Sequence, residues 1–149
     1  MRVYLAGPIT GKGFAEVSGH FAGLKSRLER CGYQVLHPML GKDHLRTETT
    51  FRPEGYTHPV TQDHAIFERD QWMVTKQVDI VLADLSQATR VSIGTCYELA
   101  WASLAGVHTV VVLPDDNPHR HCFVTESADI IFEALGDAVM YLESLGVRA

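Results

Sequence analysis

Arg2 to Ala6 is a short apolar run stopped by Gly7-Pro8, which predicts a buried strand closed by turn residues. Phe14, Val17, Phe21, Leu24 and Leu28 then recur at helical spacing. They predict an amphipathic helix over about residues 14–31, with Gly32 at its C-terminal cap. Tyr33 to Leu36 reads as the next strand, closed by His37-Pro38, and strand, helix, strand makes a right-handed βαβ unit. Residues 37–60 hold four Thr, three Pro, three His and two Gly without a clear period. They predict a long loop, of the kind that often carries function. Residues 62–77 read as a helix and Asp79–Ala83 as a continuous apolar strand. Ser92–Ala105 is a helix rich in small residues that Gly106 ends, and His108–Leu113 is a fourth strand. Asp129–Phe132 supplies a fifth strand, and a last helix runs from about Leu135 to Leu145.

Strands that are nearly all apolar, alternating with helices, indicate a parallel sheet covered on both faces. The expected fold is α/β: three layers, a doubly wound parallel sheet of about five strands, flavodoxin- or Rossmann-like, in a single domain over residues 1–149. In such folds the site lies outside the carboxyl ends of the strands. That rule selects Gly7–Gly13, Pro38 onward, Asp84–Gly94 and Pro114 onward.

A chain of 149 residues is long enough to bury a core without a disulfide or metal staple. Its net charge of −5 argues against a partner that is a nucleic-acid polymer, while leaving room for a small phosphorylated ligand held by local donors. Cys31, Cys96 and Cys122 are far apart and lack CxxC spacing, which suits a reducing compartment and the cytoplasm. No apolar run approaches a membrane span, and MRVYLAGPIT has no stretch long enough for a signal peptide.

Four places carry candidate chemistry. The loop Gly7-Pro8-Ile9-Thr10-Gly11-Lys12-Gly13 is glycine-rich and precedes a helix, so it either cradles an anion or is a tight βα turn. It is neither a Walker A loop nor GxGxxG. Asp84, at a strand end, either binds a ligand hydroxyl or caps a turn. Glu98, about one turn into a helix opened by Gly94 and Thr95, is either functional or an N-terminal acid in a Thr95-x-x-Glu98 cap. Asp70, in Phe67-Glu68-Arg69-Asp70, is either functional or part of a solvated face. His119-Arg120-His121-Cys122 lacks zinc-site spacing, so no metal is expected.

Tyr-Leu-Ala-Gly-Pro-Ile at 4–9, Glu-Arg-Asp at 68–70, Val-Asp-Ile-Val-Leu-Ala-Asp at 78–84 and Ser-Ile-Gly-Thr-Cys-Tyr-Glu-Leu-Ala-Trp-Ala at 92–102 together resemble the nucleoside 2-deoxyribosyltransferase superfamily. The resemblance runs in order from residue 1 to about 113. It implies that Glu98 is the nucleophile, that Asp70 contacts the base and assists its departure, and that Tyr4 orients Glu98. Gly7, Pro8, Ile9, Thr10, Asp84, Ser92 and Gly94 are then expected around the substrate. The implied reaction moves 2-deoxyribose between nucleobases through a covalent glycosyl-Glu98 intermediate, with no cofactor.

Ser92 departs from the transferase pattern, which commonly has Asp there, and matches the related 5′-monophosphate N-glycosidases. Thr10, Lys12 and Ser92 would then hold a phosphate, and water would replace the acceptor base. A noncatalytic nucleotide-binding protein is the rival of another class. The expected partners are a nucleoside or nucleotide, a nucleobase and further copies of the chain in a homo-oligomer. Asn117–Thr125 is the segment expected to complete a neighbour's pocket.

Overall fold

The computed structural model describes residues 1–146. Strands β1 (Arg2–Ala6), β2 (Gln34–Leu36), β3 (Ile80–Asp84), β4 (His108–Val112) and β5 (Ile130–Phe132) form one parallel sheet in the order β2-β1-β3-β4-β5. The helices are α1 (Phe14–Glu29), α2 (Asp63–Trp72), α3 (Ile93–Ala105), α4 (Cys122–Glu126) and α5 (Leu135–Leu145). The sheet is the five-stranded, doubly wound α/β arrangement expected, and its order is flavodoxin-like, with a switch point between β1 and β3.

Side chains alternate across a strand, so each face of the sheet has its own core. Val3, Leu5, Ile80, Leu82, Val110 and Val112 pack under α1 and α5. Tyr4, Ala6, Val81, Ala83, Val111 and Leu113 face the opposite layer, where α3 contributes Leu99 and Ala102. Both faces are covered, which is why these strands read as unbroken apolar runs.

Several boundaries differ from the sequence reading. Helix α1 ends at Glu29 with Arg30 as its cap, and Gly32 lies two residues further on in the turn. The helix expected over 62–77 is α2 followed by a π-helical turn, Met73–Gln77. The hydroxyl of Thr75 there donates to the Gln71 carbonyl at 2.7 Å, a back-bond of the kind that distorts helices. The turn sends Met73 and Val74 into the core. The long loop carries single 3₁₀ turns at Asp43–Leu45 and Pro59–Thr61. It is pinned to the loop after β1 by backbone bonds between Gly11 and Phe51, Phe51 and Lys12, and Phe14 and Glu48. Helix α4 was not foreseen; at five residues it is too short to show a period. Among the described residues, no helix is long and apolar enough to cross a membrane.

Candidate active site

Helix α3 begins at Ile93, between the Ser92 start and the Gly94 opening that the sequence suggests. Ser92 is the extended N-cap, and its Oγ accepts from the Thr95 N–H at 3.4 Å and meets Thr95 Oγ1 at 3.0 Å. The Thr95-x-x-Glu98 cap therefore does not form: Thr95 is already inside the helix, and Glu98 lies past its first turn. Instead Thr95, Glu98, Leu99 and Ala102 share the buried stripe of α3. The stripe presses the Glu98 carboxyl onto the sheet, where strand alternation presents Tyr4 on the same face. The Tyr4 hydroxyl donates to Glu98 Oε1 at 2.7 Å, and both side chains are buried.

Burial dominates the electrostatics. It pushes the Glu98 carboxyl up to about 8, with the Asp70 charge adding to the effect and the Tyr4 hydrogen bond, Lys42 and Arg69 opposing it. Burial also raises Asp70, against Arg69 and Lys42. Lys42, in the loop after β2, is pushed down to about 8 by burial, with the two carboxylates partly restoring its charge.

Arg69 organises the side of the site opposite the sheet. Its Nε and Nη2 both donate to Asp70 Oδ1, at 2.9 and 2.8 Å. Its remaining bonds reach the carbonyls of Leu40 and Pro38, each at 2.9 Å. One guanidinium thus fixes both the Asp70 carboxylate and the chain leaving β2.

Asp70 and Glu98 stand in the wall of a cavity of about 600 Å³ over the switch point. Gly7, Pro8, Ile9, Thr10, Ser92 and Gly94 line it as expected. Lys42, Arg52, Tyr56 and Arg90 line it as well, from the segments that the strand-end rule selects, though the sequence singled out none of them individually. The Arg52 guanidinium lies 4.6 Å from the Tyr56 ring centre. Arg90 lies over Gly11, where an added Cβ would clash with Nη2, and the φ of 87° there is itself a glycine conformation. Tyr4 supports Glu98 from beneath and is not itself on the cavity wall.

Two expected residues sit elsewhere. Asp84 has the same parity along β3 as Ile80 and Leu82, so it faces the α1 side. Its Oδ1 accepts from the Ser86 N–H at 3.0 Å, and its Oδ2 meets His20 Nε2 at 3.1 Å. Burial pushes its carboxyl up, but the bonds from His20 and Ser86 outweigh this and hold it below the ordinary range. Lys12 pairs with Glu16 at 2.9 Å. Both residues line a separate cavity of about 290 Å³ beyond Gly7-Pro8, so Lys12 does not join Thr10 and Ser92.

The segment after β4 divides. His119 is buried, and its Nε2 accepts from the Ser92 backbone N–H at 2.7 Å. Its Nδ1 then carries the proton and donates to Asn117 Oδ1 at 2.9 Å, while Asn117 Nδ2 donates to the Leu85 carbonyl at 2.7 Å. Asn117 and His119 thus brace the N-cap of α3 within their own chain, leaving Arg120 to Phe123 exposed. Among the described residues, no cluster of three or more His, Cys, Asp or Glu is placed to hold a metal.

A doubly wound α/β domain with two carboxylates facing one cavity at its switch point defines a class of site rather than a reaction. A sequence profile described as nucleoside 2-deoxyribosyltransferase matches residues 3–141, and the chain belongs to that family. No curated relative matches it by sequence. Among solved structures it is similar to a 2-deoxyribosyltransferase from Bacillus psychrosaccharolyticus, at 19% identity and a TM-score of 0.66, over 99% of this chain and 98% of that one. It is similar to a 2-deoxyribosyltransferase from Leishmania mexicana, at 16% identity and a TM-score of 0.60, over 96% and 97% of the two chains. It is also similar to a CMP N-glycosidase from Clostridium botulinum, at 19% identity and a TM-score of 0.55, over 97% of each. At these identities the structural likeness concerns the fold.

Proposed function

We propose that this chain cleaves the N-glycosidic bond of a 2-deoxynucleoside and passes the deoxyribosyl group to a second nucleobase, with Glu98 as nucleophile. The observation that carries this reading is the buried Tyr4–Glu98 hydrogen bond at the wall of a cavity that Asp70 shares. Tyr4 occupies Oε1 and leaves Oε2 for C1′. Breaking a glycosidic bond builds positive charge on the sugar. A carboxylate in a dry setting is poorly solvated before that charge appears and well paired once it does, so the interaction strengthens towards the transition state. Asp70, held by Arg69, faces the base and assists its departure. A second base attacking from the vacated face restores the original configuration. These steps need no cofactor.

A second reading, hydrolysis of nucleoside 5′-monophosphates, is favoured by one observation. Arg90 lines the cavity beside Thr10 and Ser92, where it offers a charged donor to a phosphate. The deciding experiment incubates the protein with deoxynucleosides and their monophosphates, with and without an acceptor base. Base exchange supports the transferase. Free deoxyribose 5-phosphate, unaffected by added base, supports the hydrolase. Absence of any turnover sinks both and leaves the binding protein.

A further inference from the structure

His119 is buried, and the reaction described above gives it no part. Two backbone donors fix its ring. Its own N–H donates to Asn117 Oδ1 at 3.0 Å, so that oxygen is an acceptor and Nδ1, 2.9 Å from it, must carry a proton. The Ser92 N–H donates to Nε2 at 2.7 Å, so Nε2 must be bare. The ring is therefore held neutral, in one tautomer, by the groups it bonds. Asn117 Nδ2 donates to the Leu85 carbonyl at 2.7 Å. Asn117 and His119 thus grip the loop between β3 and α3 at both of its ends, and that loop supplies Arg90, Val91 and Ser92 to the cavity wall. The charged groups of the surrounding elements turn elsewhere. Arg90 lies over Gly11, Asp84 pairs with His20, Glu98 bonds Tyr4, and Arg120 binds Asp115 and the Leu113 and Pro114 carbonyls. His121 Nδ1 accepts from the Phe123 N–H, and Asp116, Cys122 and Glu126 are exposed. Burial is left as the one influence on the ring, and it too favours the neutral form.

Resting on the glycosidic-bond reading above, we propose that His119 is a positioning residue that aims Ser92 at the sugar of the substrate, and that a proton on Nε2 releases this aim in acid. Ser92 Oγ accepts from the Thr95 N–H at 3.4 Å and meets Thr95 Oγ1 at 3.0 Å. Those contacts hold Ser92 from the helix side, and the bond to His119 holds it from the loop side. The protonated ring would carry a second N–H where Nε2 now accepts. Two donors would then face each other across 2.7 Å, and the Ser92 peptide would have to turn away. Glu98 is anchored separately, by Tyr4 and by the buried stripe of α3. Loss of the clamp therefore acts on substrate binding through Ser92 before it reaches the nucleophile.

The test compares His119→Leu, which has no acceptor, with His119→Gln, whose side-chain oxygen accepts and does not titrate. Turnover of deoxynucleosides with an acceptor base is followed from about pH 8 down to about pH 5, across the histidine range. Ser92→Ala and the Ser92→Ala/His119→Leu double variant are measured beside them, with melting temperatures confirming the fold. At neutral pH His119→Leu should raise KM about ten- to a hundredfold with little change in kcat, and His119→Gln should rescue most of that loss. In the Ser92→Ala background His119→Leu should add almost nothing to KM, since both act on one contact. The kcat/KM of His119→Gln relative to the wild type should climb as the pH falls, while the limb set by Glu98 cancels in that ratio. A loss in kcat rather than KM, a full effect of His119→Leu without the Ser92 hydroxyl, or a flat ratio would overturn the inference. Should His119→Leu not fold, the ratio for His119→Gln decides. An isotope-labelled wild type without scalar coupling between the Ser92 amide nitrogen and His119 Nε2 overturns the clamp without any need of turnover. A wild type that turns over no deoxynucleoside overturns the glycosidic reading, and the aim at a sugar with it.

Discussion

Replacing Glu98 by Gln keeps the shape of the side chain and removes one ionisation. The residue is 6% exposed, and its carboxyl is pushed from the ordinary 4.5 up to about 8, first by burial and then by Asp70. The unfolded chain therefore sheds this proton at a lower pH than the folded one. Stability must fall as the pH rises from the unfolded value, and the loss levels off above the folded one. Each pH unit between those values costs about 1.4 kcal/mol. The accumulated cost is roughly 3 kcal/mol at neutrality and approaches roughly 4–5 kcal/mol on the alkaline plateau. The Glu98→Gln variant escapes this cost. Its stability relative to the wild type should be smallest near pH 5 and should rise by about that amount towards pH 9. Urea unfolding of both proteins across this range measures the difference, and turnover of the variant should be nearly abolished throughout. A stability difference that stays flat with pH would refute the burial of this carboxyl as the cause of its raised ionisation.

The remaining expectations concern the groups around it. Tyr4→Phe removes a hydrogen bond that favours the Glu98 carboxylate, so the acid limb of kcat/KM should move to higher pH and kcat should fall about ten- to a hundredfold; an unmoved profile would refute this role. Arg69→Met strands Asp70 and two carbonyls, and should destabilise the fold by about 3–5 kcal/mol in denaturant; a loss within about 0.5 kcal/mol would mean the guanidinium is dispensable. If monophosphates are the substrates, Arg90→Ala should cut kcat/KM on them about ten- to a hundredfold with little change on nucleosides, and equal effects on both would remove the phosphate role.

Much of this architecture was legible because parallel strands are buried on both faces and cannot hide their apolar runs. The rule placing sites at carboxyl strand ends selected the Gly7 and Ser92 segments, and the family resemblance separated Glu98 and Asp70 from ordinary helix acids. Asp84 shows where that rule is too coarse. The end of a strand does not say which side of the sheet a residue faces, whereas parity with Ile80 and Leu82 does. Lys42 lies in the segment selected from Pro38 onward but could not be singled out there, because its loop has no period and its neighbours come from α2 and α3. His119 reads in sequence as a metal-ligand candidate and as part of a segment reaching a neighbour, since nothing local announces that its ring accepts from a backbone N–H 27 residues away. Arg69 was visible inside Glu-Arg-Asp, but its reach to Pro38 and Leu40 is a tertiary fact.

The Tyr4–Glu98 contact joins residues 94 positions apart, across a strand paired on both sides. Sliding β1 by one residue would turn Tyr4 to the α1 side and offer Glu98 an aliphatic neighbour instead. Assembly of this pair is therefore among the most non-local properties of the chain and arises only once the central pairing has found its register. If Glu98 is the nucleophile, nascent or misaligned molecules should be silent rather than loosely active, and recovered turnover after dilution from denaturant should count correctly threaded sheets.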